Sequence, residues 1–315
     1  MKDKKDAFIA NFNCTFGKED EPLLTNLERV IIPAFQQDYV RKIKGVNYTI
    51  ENVRLTMRNG IFMLVGLFVK GTHLEVKSQR NSKGELENTD VNIKSDPYSY
   101  FVINLKNHRM VLVKNQKGSP TVSQFSNVAE WYLKRYVREA NSDQESDQEE
   151  KLPKPNLHVV AIPLTGKIQE ELEKVKKIQR AVFRFYPLNG DIPQNDIVNE
   201  LRSQLPEYES KTGNIQINSP KNFEKVGETL EETKGLVRPS ITAEYEDESV
   251  RTLNDEDFTE RSVFRLEEDV DFDESFDEIS GKALTKNEFN ETSEENQSIY
   301  SRFYDGLEKL FSSRE

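Results

Sequence analysis

The dipeptide Asn59-Gly60 sits between two runs of strand-forming residues, NYTIENVRLTM before Arg58 and IFMLVGLFV after Gly60. An Asn-Gly step adopts the positive φ angles that a two-residue hairpin requires. Its flanks carry the β-branched and aromatic side chains that fill a pleated surface. An antiparallel hairpin is thus expected here, and it sets the frame for its neighbours. A second pair, YFVINL and MVLV around Asn107-His108, extends the hairpin into a sheet. Upstream, Phe8, Ala10, Phe12, Cys14 and Phe16 recur at a period of two, the mark of a strand. Between these lies PLLTNLERVIIPAFQQDYV, where Thr25 and Glu28 have capping-box spacing and Pro33 interrupts the helix they would start. After the turn NQKGSP, Ser119 and Pro120 suit an N-cap and first helical position. Val122, Phe125, Val128, Ala129, Tyr132 and Leu133 then line one helical face, which is expected to close over the sheet.

The composition changes at residues 140–156, ANSDQESDQEEKLPKPN, which lack large apolar side chains apart from Leu152 and read as a linker. Beyond it, LHVVAIPL, KIQEELEKVKKI and RAVFRFYPL have the order strand, helix, strand. A helical NDIVNELRSQL, a short strand NIQIN and a helical NFEKVGETLEET follow, and the C-terminal NQSIYSRFYDGLEKLF places Ile299, Phe303, Leu307 and Leu310 on one helical face. The expected class is α+β. An antiparallel sheet with packed helices occupies residues 1–140, an acidic linker 141–156, a smaller β-α-β domain 157–240, and an acidic segment with a terminal amphipathic helix 241–315.

Charge is distributed unevenly. The chain of 315 residues has a net charge of −11, yet residues 1–140 carry 22 Lys+Arg against 15 Asp+Glu, and residues 241–315 carry 8 against 23. The acidic segment admits three readings: a solubilising tail, a cover for the basic body, or a mimic of nucleic-acid charge. No apolar run reaches the length of a membrane span, and MKDKKDAF lacks the apolar core of a signal peptide, so a cytoplasmic location is expected. The one cysteine, Cys14, reads as a small core residue. Three scattered histidines without a second cysteine give no zinc spacing.

Nucleotide, metalloprotease and nucleophile signatures such as GxGxxG, GxxxxGK[ST], HExxH and GxSxG are missing, so neither an enzyme nor a cofactor is expected. The acids Asp269, Asp271 and Asp273 alternate as on a strand face but lack the glycine and spacing of a calcium loop. A metal-dependent nuclease built on such acids is the enzymatic alternative. The basic residues form clusters: Arg41, Lys42 and Lys44; Arg54 and Arg58; Lys114 and Lys117; Lys134, Arg135 and Arg138; and Lys176, Lys177, Arg180 and Arg184. Joined in one face, they would bind nucleic acid, with duplex DNA the expected ligand. The stretch RAVFRFY places Arg180, Arg184 and Tyr186 on one strand face, suited to phosphate and base contacts, or equally to pairing with the acids of 241–278.

The succession NGIFMLVGLF, SYFVINLKNHRMVLVKNQKGSPTVSQFSNVAEWYL, LHVVAIPL and FRFYPLNGD resembles a family of bacterial and prophage proteins that includes the phage lambda exclusion protein RexA, over residues 45–190. The resemblance is one of element order. It implies a DNA-binding homodimer without enzymatic activity, acting in anti-phage defence beside an effector protein encoded nearby. It carries no functional residue over, and the acidic region from 241 departs from it. A sensor subunit that recognises a protein partner through the acidic segment and terminal helix is the alternative.

Overall fold

The computed structural model describes residues 2–142, 151–191, 195–259, 261–267 and 270–313. The chain opens with β1 (Lys2–Phe16) and a short β2 (Glu21–Pro22). A helical stretch follows whose pitch changes twice, from a 3-10 turn at Leu23–Asn26 through a π turn at Leu27–Ile31 into α1 (Ile32–Phe35). Pro33 has no N–H to return to the Arg29 carbonyl, and the wide turn before it accommodates that missing bond. The helix is broken, as expected, but Thr25 lies inside the 3-10 turn, and neither of the first two turns has a side-chain cap. The expected capping box is therefore corrected.

Next come β3 (Arg41–Ile43), β4 (Val46–Arg58), β5 (Ile61–Arg80), β6 (Leu86–Ser95), β7 (Tyr98–Asn104) and β8 (Arg109–Lys114). The β4–β5 hairpin turns on Asn59 (φ 52°) and Gly60 (φ 73°), with Arg58 opposite Ile61. The helix α2 (Val122–Ser142) starts two residues later than Ser119 and Pro120 suggested. Thr121 and Gln124 cap it reciprocally: Thr121 N–H donates to Gln124 Oε1 at 3.0 Å, and Gln124 N–H to Thr121 Oγ1 at 3.4 Å.

Beyond 150 the chain returns to the first sheet. Strand β9 (Pro155–Ala161) pairs with β1 from Ala10 to Phe16, so the first sheet does not end at the expected linker. Then follow α3 (Thr165–Glu173), β10 (Val175–Phe185), α4 (Asp196–Gln204), β11 (Gly213–Asn218), α5 (Phe223–Thr233), β12 (Arg238–Tyr245) and β13 (Val250–Asn254). The strand-helix-strand order of β9, α3 and β10 holds, but β9 and β10 belong to different sheets. It is not a β-α-β unit, because β9 finds its hydrogen-bonding edge on β1 and β10 finds its own on β11 and β12. Lys176 and Lys177 lie in β10, not in the preceding helix.

The acidic C-terminal segment is built into the body. It forms β14 (Ser262–Glu267), α6 (Phe272–Ala283), α7 (Asn287–Asn290) and α8 (Glu294–Ser312). Among the described residues the first sheet has ten strands, with the path β14-β1-β8-β7-β5-β4-β3, and the second has four, β11-β10-β12-β13. Both are antiparallel, giving an α+β protein with a strongly curled first sheet.

Apolar runs such as IFMLVGLF are uninterrupted because the middle strands of the first sheet are buried on both faces. Phe12, Phe62, Phe68 and Phe101 meet α1, α2 and α8 on one side, where Phe101 and Phe125 have ring centroids 5.0 Å apart. On the other side Ala7, Val65, Val102 and Val111 meet Phe276, Ile279 and Ala283 of α6 and Phe289 of α7. Each such Val, Ile or Phe side chain contributes about 2 kcal/mol on burial. Gly66 is required by packing, since a Cβ there would stand 2.5 Å from Phe101 Cζ. Ile299, Leu307 and Leu310 of α8 are buried in the chain's own core, with Phe303 beside them. This is why the segment is not a tail: its apolar residues share one side of each helix, and its acids take the other.

Two features had no counterpart in the sequence reading. Strand β5 runs past the sheet and pairs with β6 from Thr72 to Ser95 and on to Arg80 and Leu86, forming a two-stranded ribbon. A polar seam joins the two sheets. Asn13 Nδ2 donates to the Pro187 carbonyl at 2.6 Å, Asn11 Nδ2 to the Lys234 carbonyl at 2.9 Å, and Arg238 Nη2 to the Val159 carbonyl at 3.2 Å. No helix among the described residues is long and apolar enough to cross a membrane.

Candidate nucleic-acid interface

The expected basic residues fall into four groups. Around Trp131 on α2, the Arg41 guanidinium lies 5.0 Å and the Arg135 guanidinium 5.2 Å from the indole ring, so the clusters at 41–44 and 134–138 do meet. Much of their charge is already engaged. Arg135 bonds Glu139 at 2.7 Å, Lys134 bonds Glu130 at 2.5 Å, and the Tyr39 hydroxyl donates to Glu139. Hydrogen bonds from Tyr39, then Arg135, hold the Glu139 carboxyl below its usual range, while burial and then that same acid push Tyr39 up to about 12. Lys42, Lys44 and Arg138 remain exposed at this group's margin.

Arg54 and Arg58, on β4, are paired with acids of helix α6 and remain partly exposed. Arg54 pairs with Asp273 and lies 4.9 Å over the Phe276 ring, and Arg58 pairs with Asp277. Burial draws the Arg54 guanidinium below its ordinary value, opposed by the nearby Asp271. Asp271 itself accepts from Glu274 N–H at 2.8 Å as the N-cap of α6. The expected strand-like alternation of Asp269, Asp271 and Asp273 is corrected, because Asp271 and Asp273 begin a helix; Asp269 lies outside the described residues. Among the described residues no cluster of three His, Cys, Asp or Glu is arranged to hold a metal ion.

Lys114 and Lys117 stand apart from both groups. They line a cleft of about 1060 Å³ beside β1, with Lys5 and Arg261 on its cationic side and Asp3, Glu170 and Glu256 opposing them. Lys114 Nζ rests 4.9 Å over the Phe8 ring. This cleft is close to electrically balanced.

The fourth group is open. The inner face of β10 buries Ile178, Ala181, Phe183 and Phe185 against α3, α4 and α5, so Arg180 and Arg184 project from the outer face. Neither has an ion-pair partner among the described residues. Register fixes their neighbours: Arg184 lies between Asn214 and Arg238, Val182 between Gln216 and Ser240, and Arg180 between Asn218 and Thr242. Arg238, one of the residues missed in the sequence, is next to Arg184 in register, but its guanidinium turns into the seam, where Nη2 donates to the Val159 carbonyl. Among the described residues an acid meets it at its far end, where Lys176 approaches Glu244 at 3.9 Å and Lys177 lies opposite the same residue. Pairing with the acids of 241–278 is therefore confined to that end.

Tyr186 is not on this face. It is buried, with its hydroxyl donating to the Gly235 carbonyl at 3.3 Å and its ring stacked 4.1 Å from His158. The strand ends at Phe185, and Tyr186 turns into the seam. Burial, then Arg238 and Lys134, holds His158 down to about 4, so its ring is neutral at physiological pH. Among the described residues the outer face thus offers cations, amides and hydroxyls around Val182 and no aromatic ring, which suits phosphate contacts and not base stacking. Comparison with protein-family models gives no match for this chain, and comparison with curated proteins gives none either.

Proposed function

We propose that this protein binds duplex DNA through the outer face of its four-stranded sheet, as a non-enzymatic component of anti-phage defence. The observation that carries the proposal is the pair Arg180 and Arg184, exposed on the outer face among Asn214, Gln216, Asn218, Ser240 and Thr242 and without an ion-pair partner among the described residues. Cations placed among short hydrogen-bonding side chains match a phosphate backbone. The absence of an aromatic from that face favours a duplex over an unstacked single strand. The resemblance to phage-exclusion proteins supplies the defence setting and the expectation of an effector partner.

The test is the affinity of the intact protein for a duplex as salt rises. Affinity should fall steeply with salt, and Arg180→Ala with Arg184→Ala should flatten the logarithmic slope by about 2, one phosphate contact each. An unchanged slope rejects this face.

A second reading, self-association, is favoured by the ribbon of β5 and β6. Leu74 and Ile93 face each other across it, as do Val76 and Val91, so all four share one side, and Leu74 is 57% and Ile93 49% exposed. Residues 72–95 carry four cations and four acids, so a second copy of the same ribbon meets no net repulsion. Leu74→Lys with Ile93→Lys should convert a dimer to a monomer in light scattering.

A further inference from the structure

Strand β11 forms an open edge of the four-stranded sheet. Among the described residues it pairs with β10 alone, and Asn214, Gln216, Ile217 and Asn218 are exposed along it. An exposed strand edge is a template for a further strand, and folded chains blunt such edges with charge or proline. The edges of the other strands do so: β3 carries Arg41 and Lys42, β6 Asp90 and Lys94, β13 Arg251 and β14 Arg265. The sequence GNIQIN of β11 has neither device. It also leaves Ile217, which lies opposite Ala181 on the inner face, 41% exposed at the margin of the core.

We propose that β11 is completed by β11 of a second copy, joining two four-stranded sheets into one of eight strands. A two-fold axis perpendicular to the sheet keeps both outer faces on the same side. Because side chains alternate with a period of two, such an axis opposes only residues whose numbers sum to an even value. Centred on Gln216, it sets Ile215 against Ile217 of the second copy and the reverse, so both exposed isoleucines are covered, while Asn214 meets Asn218 on the outer side. Centred on Ile215, it would set Ile217 against Gly213, which has no side chain to cover it. Neither strand brings a charge that would oppose the pairing.

The pairing also enlarges the surface proposed for DNA, and this consequence rests on that reading. One chain offers two open arginines there, and affinity for a duplex grows with each phosphate neutralised. Arg180 lies beside Asn218, and Arg184 beside Asn214. The joined sheet therefore runs in one row from Arg180 through Asn218 to Asn214 and Arg184 of the second copy, and a second row repeats this by symmetry. With strands about 4.8 Å apart and residues about 3.4 Å apart along them, the four arginines mark a square roughly 14 Å on a side. That reaches across the major groove of a duplex, about 12 Å wide, whose two strands share the same two-fold symmetry. A six-residue edge gives a weak contact by itself, so DNA that binds the pair promotes association by mass action.

Single cysteines in the intact protein test it, since the native Cys14 is buried. Gln216→Cys stands on the axis, and oxidised glutathione should link two copies through it, faster when a duplex is present. Asn218→Cys, whose two copies would lie about 14 Å apart, is beyond disulfide reach and should not link. The linked dimer should bind duplex at least about tenfold more tightly than the unlinked variant, and the salt slope of about 2 per chain should become about 4 per complex. Ile217→Lys, which charges the half-exposed edge, should prevent linkage through Gln216→Cys and return the slope to about 2. Equal linkage from both cysteines, or none from Gln216→Cys on a duplex that it binds, overturns the inference. So does self-association that Leu74→Lys with Ile93→Lys abolishes and Ile217→Lys does not, which assigns the dimer to the ribbon. Linkage through Gln216→Cys without duplex binding overturns the proposed function and leaves the strand pairing standing.

Discussion

Arg54 and Arg58 on β4 differ from Arg180 and Arg184 on β10 in what the acidic third of the chain does to them. Both pairs alternate along antiparallel strands and both flank apolar residues. The first pair lies against α6, neutralised by Asp273 and Asp277, while the second faces outward without an ion-pair partner among the described residues. Net charge per segment therefore misplaces the candidate surface. Residues 1–140 are the more basic stretch, yet the open cations belong to a sheet whose neighbourhood is nearly neutral.

The comparison can be broken most severely at Phe276. Phe276→Ala should cost about 3–5 kcal/mol in chemical denaturation, since this buried ring packs on Tyr100 and beneath Arg54. If duplex affinity rises in that variant while it remains folded, Arg54 and Arg58 form a second, covered DNA surface and the contrast with β10 dissolves. Reversing charge sharpens it: Arg180→Glu with Arg184→Glu should reduce duplex affinity by about tenfold to a hundredfold in fluorescence anisotropy at moderate salt. Arg54→Ala with Arg58→Ala should leave affinity unchanged and lower stability by no more than about 1 kcal/mol per half-exposed pair. The smallest effect concerns pH. His158 is held down to about 4 and His108, by burial and then Arg109, to about 3, so the unfolded chain takes up protons first. Stability should fall as pH drops below about 6.5, the ordinary value, and should not respond to these groups above pH 7. His158→Gln should lessen the fall of the urea midpoint between pH 7 and 5, leaving the share of His108, without altering duplex affinity at pH 7.

Local pattern carried much of the architecture. The Asn59-Gly60 hairpin, the buried stripe of α2 and the inward residues of α8 all follow from period and turn chemistry. The separation of β9 from β10 was not legible, because a strand, a helix and a strand look alike locally whether the strands share a sheet or not. The ribbon was missed although Leu74, Val76, Val91 and Ile93 alternate, because the residues between them are mostly polar. The incorporation of the acidic segment did leave a signal, since Phe276, Ile279 and Ala283 recur at helical spacing inside FDESFDEISGKA. Among candidate functional groups, Arg180 and Arg184 could be found because they alternate with buried aromatics. Arg238 is a single cation whose setting, like the open edge of β11, depends on contacts between distant strands.

Strand β1 joins both ends of the chain to its middle. Ala7 pairs with Val113 of β8 on one edge and Ser262 of β14 on the other, while Ala10 pairs with Met110 and Ala161. Strands β9 and β14 thus lie end to end along a single edge of β1. As a nascent chain leaves the ribosome, that edge is complete only after residue 267 has emerged, so the earliest residues made wait longest for their partners. Such long-range closure slows folding, and it leaves the Lys2–Ala7 edge of β1 open until β14 is made. A holding chaperone would shield that edge in the interval, and slowing translation before β14 should increase misassembly.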